Sequence, residues 1–223
     1  MNNQLQLFHE NCIPVMRRLP PASVDLLLTD PPYNLAQFMK ERDTHLHSLR
    51  ENCIGTQSWD NFNDEEWALA MESFLFEANR IVKVGGAIII FMAIIKVETI
   101  IRLAQQFPMY YKTTGFWHKT NPMPRNMNLH FINANEPWIY FVNRKRTGTF
   151  NNHAVPVHDF FECPKASAAE RKFGKHPAQK PEKLMRFFIE TLTHENEIVL
   201  DPFMGSGTTG VAALGLNRRF IRS

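Results

Sequence analysis

Apolar and polar positions along this chain switch between two periods, and the switches mark its elements. Leu5-Gln6-Leu7-Phe8 reads as a short strand. Ile13 to Leu19 reads as a short helix, with Pro14 in its first turn, where a missing N–H is no loss. Val24 to Thr29 is an almost unbroken apolar run closed by Pro31-Pro32, which predicts a buried strand. Asn63-Asp64-Glu65-Glu66 starts a helix whose apolar positions continue to Val82. Gly85-Gly86 predicts a break, Ala87 to Met92 a strand, Ile94 to Gln106 a helix and Tyr110 to His118 another strand. Further on come a strand at Trp138 to Val142, an amphipathic helix at Pro181 to Leu192, a strand at Ile198 to Leu200, a helix at Thr208 to Leu216 and the start of a last strand at Arg219 to Ile221.

Strands alternating with helices argue an α/β fold with a doubly wound, mostly parallel sheet. Two stretches interrupt it. Residues 34–63 are polar, carry His45 and His47, and are expected to form a mobile loop that closes over a substrate. Residues 119–175 are rich in Asn, Pro and basic side chains and read as an inserted recognition region. With 223 residues, 44% of them hydrophobic, the chain makes one large domain or a core with an inserted subdomain.

Composition narrows the function classes. No apolar stretch reaches the about 18 residues that span a bilayer, and Met1-Asn2-Asn3-Gln4 carries no signal-peptide pattern, so a cytoplasmic protein without a membrane partner is expected. Cys12, Cys53 and Cys163 are scattered, and His9, His118, His130, His153 and His158 lack ligand spacing, so no disulfide framework and no metal are expected. Charge is uneven: residues 1–110 hold 9 Lys/Arg against 13 Asp/Glu, whereas residues 111–223 hold 16 against 9. Between Lys112 and Arg146 the basic residues are Lys112, Lys119, Arg125, Arg144, Lys145 and Arg146, with Glu136 the one acid among them. Lys165, Arg171, Lys172 and Lys175 form a second cluster. Such concentrations suit a phosphate-contacting surface, and equally a merely solvated one.

Two strand-end segments carry the chemistry. Asp30-Pro31-Pro32-Tyr33 follows the first buried strand. An exocyclic amino nitrogen is a poor nucleophile because its lone pair is conjugated with the ring. The Asp30 carboxylate and the Pro31 carbonyl can accept both amino hydrogens, drawing the nitrogen toward tetrahedral geometry. Pro31 and Pro32 keep those acceptors preorganised, and Tyr33 offers a face on which an extruded base can stack. Asp201-Pro202-Phe203-Met204-Gly205-Ser206-Gly207-Thr208-Thr209 follows a later strand. Its glycines allow close backbone approach to a ligand at a helix N-terminus. It lacks the Gly-Lys-Ser/Thr ending of an ATP-binding loop.

With these segments the chain resembles the beta-class DNA adenine-N6 methyltransferases, which use S-adenosylmethionine (SAM) and include members of restriction–modification systems. The likeness rests on Asp30 to Asn34, Trp59-Asp60, Val84-Gly85-Gly86, Trp117 to Asn126, His176 to Pro181 and Asp201 to Gly210, with the catalytic loop ahead of the cofactor loop, a circularly permuted order. It implies a seven-stranded Rossmann-like methyltransferase sheet and a division into a catalytic half (1–118), an inserted target-recognition region (119–175) and a SAM-binding half (176–223). It implies that Asp30, Pro31, Pro32 and Tyr33 hold the target base. Asn11, Asp30, His176, Gln179, Lys180, Asp201, Phe203, Gly205, Ser206, Gly207 and Thr208 would serve the cofactor. Lys119, Asn121, Arg125, Asn126, Arg144, Lys145 and Arg146 would contact DNA. A homodimer and a cognate restriction endonuclease are the further partners it implies.

Two departures accompany the likeness. Asn11 stands where the family usually has an acidic residue, which predicts weaker cofactor binding there. The chain reads Phe220-Ile221-Arg222-Ser223 where the family continues to a ribose-binding carboxylate. That predicts reduced SAM affinity, an uncovered apolar sheet face, and either a truncated product or a fold completed by a partner subunit. Adenine is preferred to cytosine N4 because Asp leads the Pro-Pro-Tyr loop. The competing readings are a cytosine-N4 enzyme, methylation of RNA or protein glutamine, and an inactive DNA-binding remnant.

Overall fold

The computed structural model describes residues 5–8, 10–35, 63–123, 131–172, 176 and 178–222. The loop expected to close over substrate therefore falls mostly outside the described residues, as do Trp59, Asp60, Arg125, Asn126, Lys175 and Pro177.

The chain runs through β1 (Leu5–Leu7), α1 (Cys12–Arg18), β2 (Val24–Thr29), α2 (Asp64–Ile81), β3 (Val82–Phe91), a 3-10 turn (Ile94–Lys96), α3 (Val97–Ala104), β4 (Met109–Lys119), β5 (Asn135–Asn143), β6 (Phe160–Cys163), α4 (Glu182–Leu192), β7 (Ile198–Asp201), α5 (Thr208–Gly215) and β8 (Arg219–Arg222). The eight strands among the described residues join one sheet in the order β1-β8-β7-β2-β3-β5-β4-β6. Only β5 pairs antiparallel, with β3 and with β4; every other pairing is parallel. The sheet is thus doubly wound and mostly parallel as expected, with one strand more than the family pattern implied.

Strand alternation sorts the core into two layers. Val24, Leu27, Ile88, Ile90, Ile139, Phe141 and Leu200 face α1, α2 and α3, meeting Met16, Trp67, Phe74 and Ile100. Leu26, Leu28, Ile89, Phe91, Trp138, Val199 and Phe220 face α4 and α5, meeting Leu184, Phe188, Ile189 and Ala213. Asp25, inside the apolar run of β2, is matched by Lys83 Nζ at 2.6 Å and the Ile198 N–H at 2.9 Å. Burying it therefore leaves no unpaired charge.

Local signals account for most element ends. Asn63 caps α2 through a reciprocal bond pattern with Glu66, and Asp64, Glu65 and Glu66 put negative charge on its first turn. Asn34 takes a left-handed φ of 52°, which turns the chain out of the Pro-Pro-Tyr segment. Gly85-Gly86 is not the break that its composition predicts. β3 runs through it, with a register shift opposite Val24 and Leu26 and Gly85 at φ +82°. The glycines make a bulge inside one strand. β6 also went unforeseen: four residues beside β4, with Phe160 half-exposed and Cys163 buried, in a stretch that reads as loop.

The last strand is not left open. β8 lies between β7 and β1, and Phe220 and Ile221 are buried on opposite faces. The expected uncovered sheet face is therefore absent at β8. The interval 119–175 contributes β5 and β6 to the common sheet.

Candidate active site

Parallel strands end together, so β2 and β7 bring Asp30 and Asp201 to the same edge although the chain separates them widely. Thr29 Oγ1 donates to Asp201 Oδ1 at 2.8 Å and ties the two strand ends directly. Both loops open into one cavity of about 950 Å³, at the upper end of the range for small-molecule sites.

Asp201 organises the glycine turn from beneath. Its carboxylate accepts from Thr29, from Thr209 Oγ1 at 2.7 Å and from the Phe203 N–H at 3.3 Å. Burial pushes its pKa up to about 6, against the three hydrogen bonds that pull it down. Since an unfolded Asp titrates near 3.9, ionising the buried carboxyl weakens the fold progressively between about pH 4 and pH 6, with the full cost present above that window. Asp201→Asn removes this titration. Between pH 5 and pH 7 the stability of the wild type should therefore fall relative to that variant by about 1 kcal/mol, measured by denaturant unfolding at both pH values.

The turn itself is shaped for close approach. Gly207, at φ +85°, precedes the first turn of α5. At Gly205 a Cβ would stand 2.7 Å from His176 Nε2, so the imidazole rests directly on the backbone. Burial lowers the His176 pKa, which keeps the ring neutral near pH 7. Among the described residues, His176 Nδ1, Gln179 Oε1 and Arg171 Nε are buried with no hydrogen-bond partner, and all three side chains line the cavity. Unpaired buried polar atoms on a cavity wall are what a polar ligand would satisfy. Asn11 also lines the cavity, and its Oδ1 caps α1 by accepting from the Ile13 N–H at 3.0 Å.

At the other end, Asp30 sits in a charged cluster. Tyr33 Oη and Lys180 Nζ bond its two carboxylate oxygens, Oδ1 and Oδ2 respectively. The same two donors also reach Glu136 Oε1, Lys180 at 2.7 Å and Tyr33 at 3.0 Å. Lys119 Nζ holds the second Glu136 oxygen at 2.7 Å. Two carboxylates and two ammonium groups thus balance in a mostly buried cluster. Burial works against the Lys180 charge, but Asp30 and Glu136 together outweigh it and keep the ammonium protonated. Burial likewise opposes ionisation of Glu136, yet Lys180 and Lys119 lower its pKa to about 2. For Asp30 burial outweighs Lys180 and raises the carboxyl above its usual value. Burial and the two carboxylates keep the Tyr33 hydroxyl protonated, hence a donor. Trp67 Nε1 donates to the Pro32 carbonyl at 2.8 Å, so α2 fixes the loop while the preceding Pro31 carbonyl accepts no hydrogen bond among the described residues.

The expected DNA-contacting residues that are described fall at two separate ends of the sheet. Lys119 is committed to Glu136 and lies 5.0 Å over the Trp117 ring. Asn121 accepts from the Lys165 N–H at 2.8 Å. Arg144, Lys145 and Arg146 follow the far end of β5, roughly 25 Å along the strand from Glu136. There Arg144 donates to Asn79 Oδ1 at 3.1 Å. Lys165 and Arg171, from the second basic cluster, do line the cavity. Glu136 was missed as a site residue, and its signal was its isolation as the lone acid in a basic interval. Thr29 and Trp67 gave no signal apart from the strand and helix that carry them, whereas Thr209 belongs to the quoted glycine-turn motif. Among the described residues no group of three or more His, Cys, Asp or Glu is placed to hold a metal ion, and no helix is long and apolar enough to cross a membrane.

A permuted, mostly parallel α/β sheet whose acidic Pro-Pro-Tyr loop and glycine turn share one cavity has the architecture of Rossmann-like methyltransferases. The chain belongs to the N6/N4-type DNA methylase family, whose profile matches residues 24–222. It is 31% identical to the Type II methyltransferase M.HinfI of Haemophilus influenzae over 226 residues, covering 95% of this chain but 62% of that protein's length. It is 28% identical to the Type II methyltransferase M2.DpnII of Streptococcus pneumoniae, covering 98% of this chain and 84% of that one. Among solved structures, the M1.HpyAVI–SAM complex superposes with a TM-score of 0.71 at 27% identity over 98% of this chain and 92% of that one. The cytosine-N4-specific PvuII DNA methyltransferase superposes at 0.76 with 19% identity over 99% and 83%, a likeness of fold.

Proposed function

We propose that this chain transfers a methyl group from SAM to the N6 amino group of adenine in double-stranded DNA, directly and onto an extruded base. The observation that carries the reading is the single cavity lined by both Asp30–Tyr33 and Gly205–Thr208. SAM, which is bound in the M1.HpyAVI relative, suits the polar wall: His176, Gln179 and the Gly205–Gly207 turn would hold it, with Phe203 beside them. When bound, it supplies an electrophilic methyl group. The protein's own part is to position the nucleophile. The Asp30 carboxylate and the Pro31 carbonyl accept the two amino hydrogens, and Tyr33 offsets the cost of extrusion, a few kcal/mol, by stacking. Direct displacement needs no covalent bond to the protein.

Adenine is preferred because Asp leads the loop. Lys165 and Arg171, which line the cavity, and Asn121, which accepts from the Lys165 N–H, support contact with a DNA strand there; Arg125 and Asn126, which lie outside the described residues, remain candidate DNA contacts on the resemblance. The likeness to Type II methyltransferases supports the extended reading of a modification enzyme with a cognate endonuclease, and the homodimer is part of the same proposal.

The test is transfer of labelled methyl from SAM to unmethylated DNA, with product nucleosides resolved by mass. N6-methyladenine is the expected product. N4-methylcytosine would overturn the base assignment, and no product from protein that binds both SAM and DNA would overturn the activity. The cofactor side is tested separately by Gly205→Ala, whose methyl group collides with the His176 ring. SAM affinity should fall roughly tenfold in a calorimetric titration, with the fold retained.

A further inference from the structure

The reading of Asp30 as the acceptor of a base amino group meets an obstacle in the cluster itself. Both Asp30 oxygens already carry donors: the Tyr33 hydroxyl on one and the Lys180 ammonium on the other. A carboxylate drained by a cation is a weaker acceptor for an incoming N–H, and a hydroxyl on its other oxygen adds to the drain. Each of those donors, however, has a second acceptor within reach, and it is the same atom. Glu136 Oε1 lies 2.7 Å from Lys180 Nζ and 3.0 Å from Tyr33 Oη. Tyr33 has one hydroxyl hydrogen for two acceptors, so it serves one carboxylate at a time. Lys119 occupies the other Glu136 oxygen, joins Lys180 in keeping that carboxylate ionised, and leaves Oε1 for the shared donors.

We propose that Glu136 is a positioning residue for methyl transfer: it takes Lys180 and the Tyr33 hydroxyl from Asp30 as a base amino group arrives, restoring Asp30 as a strong acceptor. This rests on the proposed amino-group methylation. Neither donor is stranded by the exchange: Lys180 and the Tyr33 hydroxyl give up their bonds to Asp30 but keep Glu136 Oε1, and an incoming amino hydrogen takes their place on Asp30. No proton changes owner: the ammonium and the hydroxyl only redirect their hydrogen bonds. Glu136 need not touch the substrate, and its effect belongs to the chemical step rather than to cofactor affinity.

Three variants test this: Glu136→Gln, Glu136→Asp, and Glu136→Gln combined with Lys119→Gln. Single-turnover methyl transfer to unmethylated DNA is measured alongside SAM affinity and thermal unfolding. Glu136→Gln keeps the shape but offers Lys180 no charge. Its rate should fall roughly 10- to 100-fold, while the SAM dissociation constant stays within about threefold. The double variant restores neutrality without restoring the acceptor, so its rate should stay low. Glu136→Asp keeps the charge, and so the fold if Glu136→Gln loses it, but withdraws the acceptor by one methylene and should also be slow. Wild-type rates in Glu136→Gln or Glu136→Asp would overturn the proposal. Recovery in the double variant would also overturn it, reducing Glu136 to charge balance. A wild-type protein that transfers no methyl group would overturn the underlying function, and this inference with it.

Discussion

Asp30→Ala should reduce methyl transfer by roughly 100- to 1000-fold or more, the scale on which removing one preorganised electrostatic partner of a transition state is felt. Fold and DNA binding should survive. Lys180, deprived of Asp30, still has Glu136 Oε1 at 2.7 Å, and Glu136 keeps Lys119, so no buried charge is stranded. The loop also keeps its anchor through Trp67 and the Pro32 carbonyl. Labelled methyl transfer and a gel-shift titration, run on the same preparation, check both halves of the expectation. Full activity in this variant would refute the role given to Asp30.

Lys180→Met should act through stability instead. Lys180 stands between two mostly buried carboxylates and holds both. Without it, Asp30 and Glu136 face each other with only the Tyr33 hydroxyl between them. Removing one partner of a buried ionic cluster costs about 3–5 kcal/mol. In a domain of this size that lowers the melting temperature by on the order of 10 °C. Carboxylate repulsion should make the loss larger at pH 8 than at pH 5, where one of the pair can take up a proton. Differential scanning calorimetry at the two pH values measures this. A melting temperature unchanged at both would mean that the cluster contributes nothing to the fold.

The two variants separate roles that one location combines. Asp30 is replaceable for folding because its cation has a second partner. Lys180 is not, because among the described residues it is the ammonium that bridges the two acids. Lys119 reaches Glu136 alone.

Much of this was legible in the sequence. Periodicity and caps located nearly every long element, since α2, α4 and the β2 and β7 runs each carry their own local cause: a capping box, an amphipathic stripe, an unbroken apolar run. The two loops could be read as chemistry because their composition is tied to a backbone requirement, rigid acceptors in one and close approach in the other. Pattern failed where neighbours decide. Gly85-Gly86 looks like punctuation, yet β2 pairs with Val82 before it and with Ala87 to Ile90 after it, and holds the chain as one bulged strand. β6 is only four residues, too short to show a period of its own, and exists because the edge of β4 accepts it.

Charge was the least legible property. Counting basic residues marked Lys119, Arg144, Lys145 and Arg146 alike. The sheet sends the last three to the end away from the cavity and turns Lys119 inward onto Glu136. A sequence records how many charges there are but not which side chains share a pocket. By itself, then, this chain determined its alternation of strands and helices, its permuted order of loops and the chemistry each loop can perform. The tertiary structure alone decided that Thr29 and Asp201 are neighbours, that Glu136 shares the donors of Asp30, and which cations remain for a ligand. Periodicity and caps act within a few residues, whereas electrostatic partners are set by where distant strands end.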